Sequence, residues 1–494
     1  VTDHYRMNKS FLANLLLLLS INIVIKPVFI LGIDRNVQNL VGEHDYGLYF
    51  TFLTFTMIMQ VLGDAGLQNY NNQQISSGNV SFSNFFPSVM AAKLLVSILY
   101  VLLVMGGGYL LGYQADYNLL MWVMLGQLLS GILLLLRTNV SGSGHYRTDS
   151  IFSAIDRLLM IAFCGYYLWS QVRQSDFTIL LFAKLQLISY SIAILIVLGW
   201  IIFKLPTTDV RIKHIATIPI LKKSFPYAIV VLLMIIYSRS DIILLKNMLE
   251  DGSKEAGIYA AGYRLLDAMN MVGFLAGSLL LPMFARLMND KKQTEELFIL
   301  SLKILLLFTV IVAVTVISFR TQIMQLLYVN ATEYWGNVLG LLMVSFVSMT
   351  LSYVSGTYLT ASGKVRHLIG SFLVAIIINL VLNLILIPRN KVEGVAVASA
   401  VTQLFILIVQ MNKSMKYAGI RISKDYLVKF GVFLFMFLAI SLLAGKILTI
   451  NWYYQLIITP IFGLLLAWLF KILPEELLNV VNGRKFLNRH FHQN

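Results

Sequence analysis

The sequence predicts an all-α, polytopic membrane protein with about fourteen transmembrane helices, arranged as two pseudo-symmetric six-helix lobes followed by two C-terminal helices. Of the 494 residues, 58% are hydrophobic and only 12% are charged, and the mean hydropathy is +0.78. The apolar residues occur in runs long enough to cross a bilayer, and Lys and Arg are unequally distributed between alternate connections. This composition excludes a water-soluble protein.

The individual spans follow from helix length. A transmembrane helix needs roughly 20 apolar residues, each contributing a rise of about 1.5 Å. The first apolar run is as long as a full span, so we expect it to remain as an anchor rather than be removed as a signal peptide. No connection exceeds about 25 residues, which excludes a soluble catalytic or nucleotide-binding domain. The predicted spans are 11–31, 46–63, 86–111, 118–136, 151–169, 177–203, 224–245, 257–281, 297–319, 336–360, 367–387, 394–411, 427–445 and 454–472.

The distribution of Lys and Arg predicts the orientation. If the N-terminus is cytoplasmic, the cytoplasmic segments carry 23 of these residues and the external segments carry 8. This bias follows the positive-inside rule and places both termini in the cytoplasm. The basic tail, 474–494, is expected either to lie on the inner leaflet as an amphipathic helix or to be a solvated end.

Two short matches predict an internal repeat. Asp45–Tyr49 resembles Glu255–Tyr259, and Ser143–Arg147 resembles Ser362–Arg366, each pair lying between corresponding spans. An even number of spans per unit gives two parallel copies of a six-helix unit. The predicted division is an N-lobe with spans 1–6 and a linker (1–215), a C-lobe with spans 7–12 (216–420), spans 13 and 14 (421–473), and the tail (474–494).

Charges predicted to lie within the spans are the main functional signal. Each costs about 2.5–3.5 kcal/mol near a helix centre, so each needs a partner, a water-filled cavity or a function. Lys93 and Lys303 lie close enough to cytoplasmic ends to snorkel, whereas Asp156 and Arg157 suit either a structural pair or substrate contact. The ten residues are Lys26, Lys93, Arg157, Lys184, Arg239, Arg264, Lys303, Asp156, Asp241 and Asp267.

Arg264 and Asp267 stand three residues apart on the eighth span and therefore share a face with Asn270. This stripe predicts either a ligand site or a self-neutralising pair that joins helices. Arg239 and Asp241 are two residues apart and cannot face each other, so at least one of them must reach another helix or the cavity.

The first span carries a second group of charges. Lys26 precedes Pro27, which frees a backbone carbonyl and kinks a helix, as a gating helix requires. Asp34 and Arg35 are expected at the external mouth of the same helix.

Other chemical signatures are missing from the sequence. The seven histidines lie in tails or connections, and Cys164, the single cysteine, lies in an apolar stretch. No nucleophile motif, metal-ligand spacing or phosphate loop occurs. We therefore expect a protein that is not an enzyme and holds no cofactor. Gly273 and Gly277 form a GxxxG motif, which predicts a helix-packing face.

Three groups of short segments carry a resemblance to a known family. The first group is Leu31-Gly32-Ile33-Asp34-Arg35, Tyr46-Gly47-Leu48-Tyr49 and Asp64-Ala65-Gly66-Leu67. The second is Ser240-Asp241-Ile242, Ala256-Gly257-Ile258-Tyr259-Ala260-Ala261-Gly262-Tyr263-Arg264-Leu265 and Leu281-Pro282. The third is Asn379-Leu380-Val381-Leu382-Asn383 and Glu393-Gly394-Val395-Ala396-Val397-Ala398-Ser399-Ala400. With these stretches the chain resembles, over nearly its whole length, the polysaccharide transporters of the multidrug/oligosaccharidyl-lipid/polysaccharide (MOP) exporter superfamily. Members of that branch are flippases of O-antigen, capsule or exopolysaccharide repeat units.

The resemblance implies a V-shaped pair of lobes around a central cavity that opens alternately to the two sides of the membrane. Arg264 falls where the related lipid II flippases place a cavity arginine, and Arg35 is near the basic residues of their first span. The Tyr46–Tyr49 stretch is more similar to the polysaccharide branch.

The expected function is a flippase that moves undecaprenyl-pyrophosphate-linked oligosaccharide repeat units to the outer leaflet of the bacterial inner membrane, for surface polysaccharide biosynthesis. A pyrophosphate head group needs cations in a low-dielectric cavity, and the forked donors of Arg suit it. The residues expected to hold it are Arg264, Lys26, Arg35 and Arg239, with Asp241 or Asp267 as pairing groups or as sites of H+ or Na+ coupling.

Expected partners are membrane lipids, a polymerase and other polysaccharide-assembly proteins, and no nucleic acid. The alternatives are a cation-coupled multidrug exporter, a lipid II flippase, or a polytopic glycosyltransferase or polymerase. The last would need a large external loop, whereas the longest external gap is about 17 residues.

Overall fold

The computed structural model describes residues 24–77, 82–170, 174–204, 217–420, 422–447 and 451–473. Throughout these ranges all regular secondary structure is helical, and none of these residues forms a β-strand. The predicted class, an all-α polytopic membrane protein, is confirmed.

Fifteen helical segments organise the described part of the chain, joined by short turns. They are α1 (Val24–Leu62), α2 (Leu67–Ser76), α3 (Phe82–Leu110), α4 (Tyr117–Gly142), α5 (Tyr146–Leu168), α6 (Ile179–Lys204), α7 (Thr217–Arg239), α8 (Asp241–Met248), α9 (Gly252–Leu287), α10 (Lys291–Ser318), α11 (Arg320–Leu327), α12 (Glu333–Ala361), α13 (Val365–Ala418), α14 (Lys424–Ile447) and α15 (Trp452–Leu469).

The predicted count of fourteen spans is not confirmed. In the described ranges, eleven helices are long and apolar enough to cross a membrane, or twelve if the bent pair α1 and α2 forms one span. Most of the first predicted span, residues 11–23, lies outside the described residues. The predicted spans 367–387 and 394–411 both lie in α13, where two helices meet at a kink at Lys391 (φ 49°, ψ −128°) with no loop between them.

The structure of α1 differs from the prediction of an external connection at 32–45. Its helical turns continue through this segment and are interrupted at Gly42, whose φ of 83° and ψ of 168° are accessible to glycine without steric cost. Two turns earlier, Phe29–Asp34 forms a π-helical segment shortly after Pro27. Proline removes an intrahelical donor, and such wide turns are frequent at functional sites.

Internal contacts group the described residues into two compact units. The first contains those of Val1–Arg264 together with Leu380–Val395, and the second contains those of Leu265–Asn379 together with Ala396–Asn494. Residues 205–216 of the predicted linker and the tail 474–494 lie outside the described residues. The predicted division into lobes stays a prediction.

Each unit has its own apolar core. In the first, Leu136 and Val140 of α4 pack with Tyr190 and Val197 of α6. In the second, α10 packs with α14 and α15 through residues such as Val310, Val314, Phe433, Phe437 and Leu466. This burial fixes the helices to which the polar residues belong.

Apolar side chains also cover the surface. Helix α3 exposes Leu94, Leu95, Ile98, Leu99 and Leu102 on adjoining turns. An apolar stripe of this size on a water-soluble protein would be a liability, but it matches the hydrocarbon of a bilayer.

The GxxxG motif packs as its sequence predicts. A Cβ atom added to Gly273 would lie 2.9 Å from Thr350 Cγ2, and one added to Gly277 would lie 3.0 Å from Tyr353 Cδ1. The two glycines therefore allow α9 and α12 to approach closely in the second unit.

Candidate functional site

A buried polar cluster in the first unit joins α1 to α9. Arg264 Nε lies 2.7 Å from Asp34 Oδ2, and the Tyr46 hydroxyl donates to the same carboxylate oxygen at 2.7 Å. Arg264 Nε also donates to the Tyr46 hydroxyl oxygen at 3.2 Å. Asp34 ends the π-helical segment, and Tyr46 follows the interruption at Gly42, so the irregular backbone of α1 brings both residues to Arg264.

The environment of this cluster makes its charges costly. Asp34 is 1% exposed and the Arg264 side chain is 17% exposed, so neither charge is well solvated. The Arg264 guanidinium lies 4.7 Å from the centre of the Phe50 ring, which adds a cation–π contact. Asp34 Oδ1 has no hydrogen-bond partner among the described residues.

The terminal Nη groups of Arg264 are available for a ligand. Within the described residues, Arg264 donates its hydrogen bond through Nε, which is also its closest approach to Asp34, and it makes no hydrogen bond through Nη. The two Nη groups form the planar fork with which arginine binds phosphate in a bidentate manner. Sequence reasoning identified Arg264 and offered Asp267 as its pairing partner, whereas the structure pairs Arg264 with Asp34.

A second arginine, Arg157 of α5, lies near this cluster. Its guanidinium is 4.8 Å from the centre of the Phe29 ring, and its Nε is 3.4 Å from Asp156 Oδ2. It is also close enough to Arg264 for the two positive charges to repel each other. Sequence reasoning left Arg157 open between a structural and a substrate role, because nothing local placed it beside α1 and α9.

Arg35 and Lys26, two of the predicted head-group ligands, belong to α1. The Arg35 Nη2 group donates to Asn36 Oδ1 at 2.7 Å, and its buried Nε has no hydrogen-bond partner in the part of the chain that the structure describes. Lys26 is partly buried and directly precedes Pro27. The structure thus places both cations on the helix that carries Asp34.

Arg239, at the end of α7, lines a small cavity together with Phe50 and Tyr263. Its guanidinium lies 4.7 Å from the centre of the Tyr263 ring, which lines the same cavity. Phe50 is also a lining residue and carries the guanidinium of Arg264 on its ring. One aromatic side chain therefore contacts both the Arg264 cluster and the cavity of Arg239.

Asp241, at the start of α8, is 1% exposed and has neutral donors around it. Asn383 Nδ2 donates to its Oδ1 at 2.9 Å, and the Tyr259 hydroxyl donates to its Oδ2 at 3.2 Å. Helix α7 ends at Arg239 and α8 begins at Asp241, with only Ser240 between these two charges. Asp267 is partly buried and belongs to the second unit.

Lys93 is more deeply buried than the sequence predicts. Snorkelling would leave its ammonium in water, but its side chain is 3% exposed. The Nζ atom lies 3.2 Å from Asp64 Oδ1 and donates to the Gly63 carbonyl at 3.1 Å. This acid at the end of α1 was not among the intramembrane charges, so its pairing with α3 was missed. Lys303 is partly buried, with its Nζ 4.9 Å from the centre of the Tyr426 ring.

The two copies of the first repeat motif, Asp45–Tyr49 and Glu255–Tyr259, pack against each other. A Cβ atom on Gly47 would collide with Gly257 N, and one on Gly257 would collide with the Glu43 carbonyl. Gln38 Nε2 donates to the Gly257 carbonyl at 2.9 Å, and Lys254 Nζ lies 3.9 Å from Glu43 Oε1. These contacts hold α1 and α9 together next to the residues that form the polar cluster of Asp34, Tyr46 and Arg264.

Two family models match parts of this chain. The family model "Polysaccharide biosynthesis protein" matches residues 11–288, and "Lipid II flippase MurJ" matches residues 243–463. No curated protein matches the chain.

The structure is similar to solved transporters. Lipid II flippase MurJ in an inward closed conformation has a TM-score of 0.74 at 14% identity, covering 94% of this chain and 100% of that one. An inward-facing multidrug resistance MATE family transporter of the MOP superfamily has a TM-score of 0.64 at 13% identity, covering 82% and 98%. A MOP superfamily transporter from Pyrococcus furiosus, described by the reverse polarity of its binding pocket, has a TM-score of 0.60 at 12% identity, covering 82% and 95%.

The first family model spans more than half of the chain, and the solved structures share its fold. The chain therefore belongs to the polysaccharide biosynthesis protein family and has the fold of the MOP exporter superfamily.

Proposed function

We propose that this protein is a flippase that moves undecaprenyl-pyrophosphate-linked oligosaccharide repeat units from the cytoplasmic to the outer leaflet of the bacterial inner membrane, for surface polysaccharide biosynthesis. The observation that carries the proposal is the buried Arg264, whose Nε is held by Asp34 while its Nη fork has no partner among the described residues. An anionic head group fits this arrangement, because Arg157 and Arg239 lie close by.

The Arg264–Asp34 pair supports a binding step by exchange. An arriving pyrophosphate carries more negative charge than one carboxylate and offers oxygens that match the guanidinium fork. Only one oxygen of Asp34 is engaged, and that oxygen is shared between Arg264 and Tyr46. The head group would bind Arg264 in place of Asp34, and Lys26 and Arg35 of α1 would add positive charge.

Alternating access requires α1 and α9 to separate and rejoin. On the predicted topology, Glu43 and Lys254 are external residues, so the packing of Gly47 on Gly257 would join α1 to α9 near the outer end. Exchange of Asp34 for pyrophosphate removes one of the bonds between α1 and α9. Substrate binding would thereby favour the opening of the outer side.

We further propose that Asp241 couples transport to H+ or Na+, with Asp267 as the second candidate. Asp241 is a buried carboxylate held by the amide of Asn383 and the hydroxyl of Tyr259, and such a group can be neutralised by a proton or by a hard cation with oxygen ligands. It is the first residue of α8 and is bonded to α9 through Tyr259 and to α13 through Asn383, so a change in its charge would alter contacts among three helices.

Replacement of Arg264 tests the proposal in cells. In the strain that carries the gene, Arg264→Ala should abolish surface polysaccharide while the protein remains in the membrane, because the principal phosphate ligand is gone. Arg389→Ala is the matched control, since Arg389 is exposed. Normal polymer in the Arg264→Ala strain would contradict the proposed function.

The similarity to lipid II flippase MurJ favours one other candidate, a lipid II flippase. Expression of this protein in cells depleted of their own lipid II flippase separates the two functions. Our proposal expects no rescue of growth, whereas rescue would favour lipid II as the substrate. Resistance to lipophilic cations on expression would instead favour a cation-coupled multidrug exporter.

A further inference from the structure

Helix α2 has a composition that neither helix stability nor topology explains. Its ten residues contain six carboxamide side chains and no charge. Asn is a poor helix former, and a solvated cytoplasmic helix is commonly built from Lys, Arg and Glu instead. The carboxamides are Gln68, Asn69, Asn71, Asn72, Gln73 and Gln74.

Four polar residues form one exposed face of α2, which we call the amide face. They are Asn69, Asn72, Gln73 and Ser76, spaced as neighbours on adjoining turns of a helix. Unsatisfied amide groups are costly in hydrocarbon, so this face must meet water or a polar ligand rather than lipid tails.

Contacts with α4 and α7 hold the amide face in place. The Ser141 hydroxyl lies 3.5 Å from Asn72 Oδ1, and the Tyr227 hydroxyl donates to Gln73 Oε1 at 2.5 Å. Because the Gln73 amide oxygen accepts the bond from Tyr227, the NH2 group of Gln73 points away from that hydroxyl as a donor. Asn69 makes no hydrogen bond to other described residues through its side chain.

The start of α2 is equally well fixed. Asp64 accepts a hydrogen bond from the Gln68 backbone at 3.3 Å and from Gln68 Nε2 at 3.1 Å, while it pairs with Lys93. Gly66, with a φ of 77°, packs so closely on the Ser224 carbonyl of α7 that a side chain would collide. The amide face is therefore a preorganised surface rather than a loose connection.

The chemistry of the amide face matches that of a neutral glycan. Planar carboxamides present a donor and an acceptor side by side and so complement neighbouring sugar hydroxyls. Tyr227, which is 38% exposed, adds an aromatic ring with a polar end at the edge of the face. A phosphate ligand would instead require cations, and α2 contains none.

We propose that the amide face of α2 binds the sugar part of the lipid-linked substrate. The inference rests on the proposed function, and the predicted topology puts this face on the cytoplasmic side, where the substrate is loaded. The site assigns two separate tasks to the first unit. Arg264 and its neighbours hold the pyrophosphate, and α2 recognises hydroxyl groups of the attached oligosaccharide.

Binding of two lipids, one with the sugar part and one without it, distinguishes these two roles. The full-length protein in lipid nanodiscs is titrated with undecaprenyl pyrophosphate, and separately with the undecaprenyl-pyrophosphate-linked repeat unit extracted from the strain that carries the gene. The test variant is Asn69→Ala/Asn72→Ala. Gln114→Ala is the control, because Gln114 is an exposed amide at the far end of α3. Thermal unfolding midpoints verify that the variants fold.

We expect the double variant to bind the sugar-linked lipid about tenfold more weakly than wild type, because about two hydrogen bonds to neutral groups are lost. Its affinity for undecaprenyl pyrophosphate should not change, and the control should bind both lipids normally. Unchanged affinity for the sugar-linked lipid, or equal loss for both lipids, would overturn the amide-face site and leave the proposed function standing. If the wild-type protein binds neither lipid, the proposed function fails and this inference fails with it.

Discussion

At the scale of single residues, the buried charge of Arg264 is balanced by Asp34 and Tyr46. The carboxylate supplies the opposite charge, and the phenol connects the two by accepting from Arg264 and donating to Asp34. The two partners therefore contribute differently to the stability of the cluster. Removing the charge of Asp34 leaves a cation in a poorly solvated site, whereas removing the hydroxyl of Tyr46 removes hydrogen bonds only.

Asp34→Asn should lower the free energy of unfolding by about 3 kcal/mol, the usual effect of breaking a buried ion pair. Tyr46→Phe should lower it by about 1 kcal/mol, since the ring is retained and the hydroxyl is lost. Thermal unfolding of the purified protein in detergent gives the order of the two effects. An equal or larger effect of Tyr46→Phe would mean that charge balance is not what holds the cluster.

The pair of Lys93 and Asp64 permits a cleaner test of burial. Lys93→Met should destabilise the protein by about 3 kcal/mol, because Asp64 is left as an uncompensated acid. Lys93→Met/Asp64→Asn should recover most of that loss, since no isolated charge remains. Additive effects in this double-mutant cycle would show that the two residues are not coupled.

Sequence reasoning identified the basic residue of each ion pair but not its acidic partner. Arg264 and Lys93 were visible because a charge inside a hydrophobic run is costly and requires an explanation. Asp34 and Asp64 were not seen as their partners, because Asp34 on α1 and Asp64 in the turn after α1 each meet a different, later helix. Tertiary packing, rather than any local pattern, joins these residues.

At the scale of helices, two glycines decide how α1 approaches α9. The sequence predicted the repeat motifs that contain Gly47 and Gly257, yet the motifs revealed similarity rather than contact. The structure presses one motif on the other, with Gly257 against the Glu43 carbonyl. The helical course of α1 through residues 32–45 was also missed, because the segment is polar and reads as an external connection.

Gly257→Ala should therefore abolish transport, since a methyl group would force α1 and α9 apart. Gly199→Ala, on α6, is the matched control, because nothing lies within 4 Å of a Cβ atom there. Alanine in an exposed helix interior should even stabilise the control by up to about 1 kcal/mol. Surface polysaccharide and unfolding midpoints report the two effects, and normal transport by Gly257→Ala would contradict this packing.

At the scale of the whole molecule, transport by alternating access requires the contact between α1 and α9 to open. Composition and hydropathy predicted the fold class correctly, because insertion into a bilayer imposes long apolar helices. The number of spans was harder to predict, since the helices on either side of Gly42 and of Lys391 follow each other at a kink with no loop between them.

Covalent closure of the outer end should stop transport reversibly. In a Cys164→Ala background, Glu43→Cys/Lys254→Cys places two thiols where the 3.9 Å ion pair stands. Cross-linking them with a cleavable bifunctional thiol reagent should block polysaccharide export, and a reductant should restore it. Each single cysteine variant treated in the same way is the control. Continued export by cross-linked protein would mean that α1 and α9 do not separate here.

The most direct test of the central claim is flipping by the purified protein. Proteoliposomes that contain the undecaprenyl-pyrophosphate-linked repeat unit are prepared with wild-type protein, with Arg264→Ala, or with Arg389→Ala, and the lipid that becomes accessible on the opposite leaflet is measured over time. We expect transfer by wild type and Arg389→Ala and none above protein-free vesicles by Arg264→Ala. Equal transfer by Arg264→Ala and wild type would contradict the role of the Arg264 cluster in moving the head group.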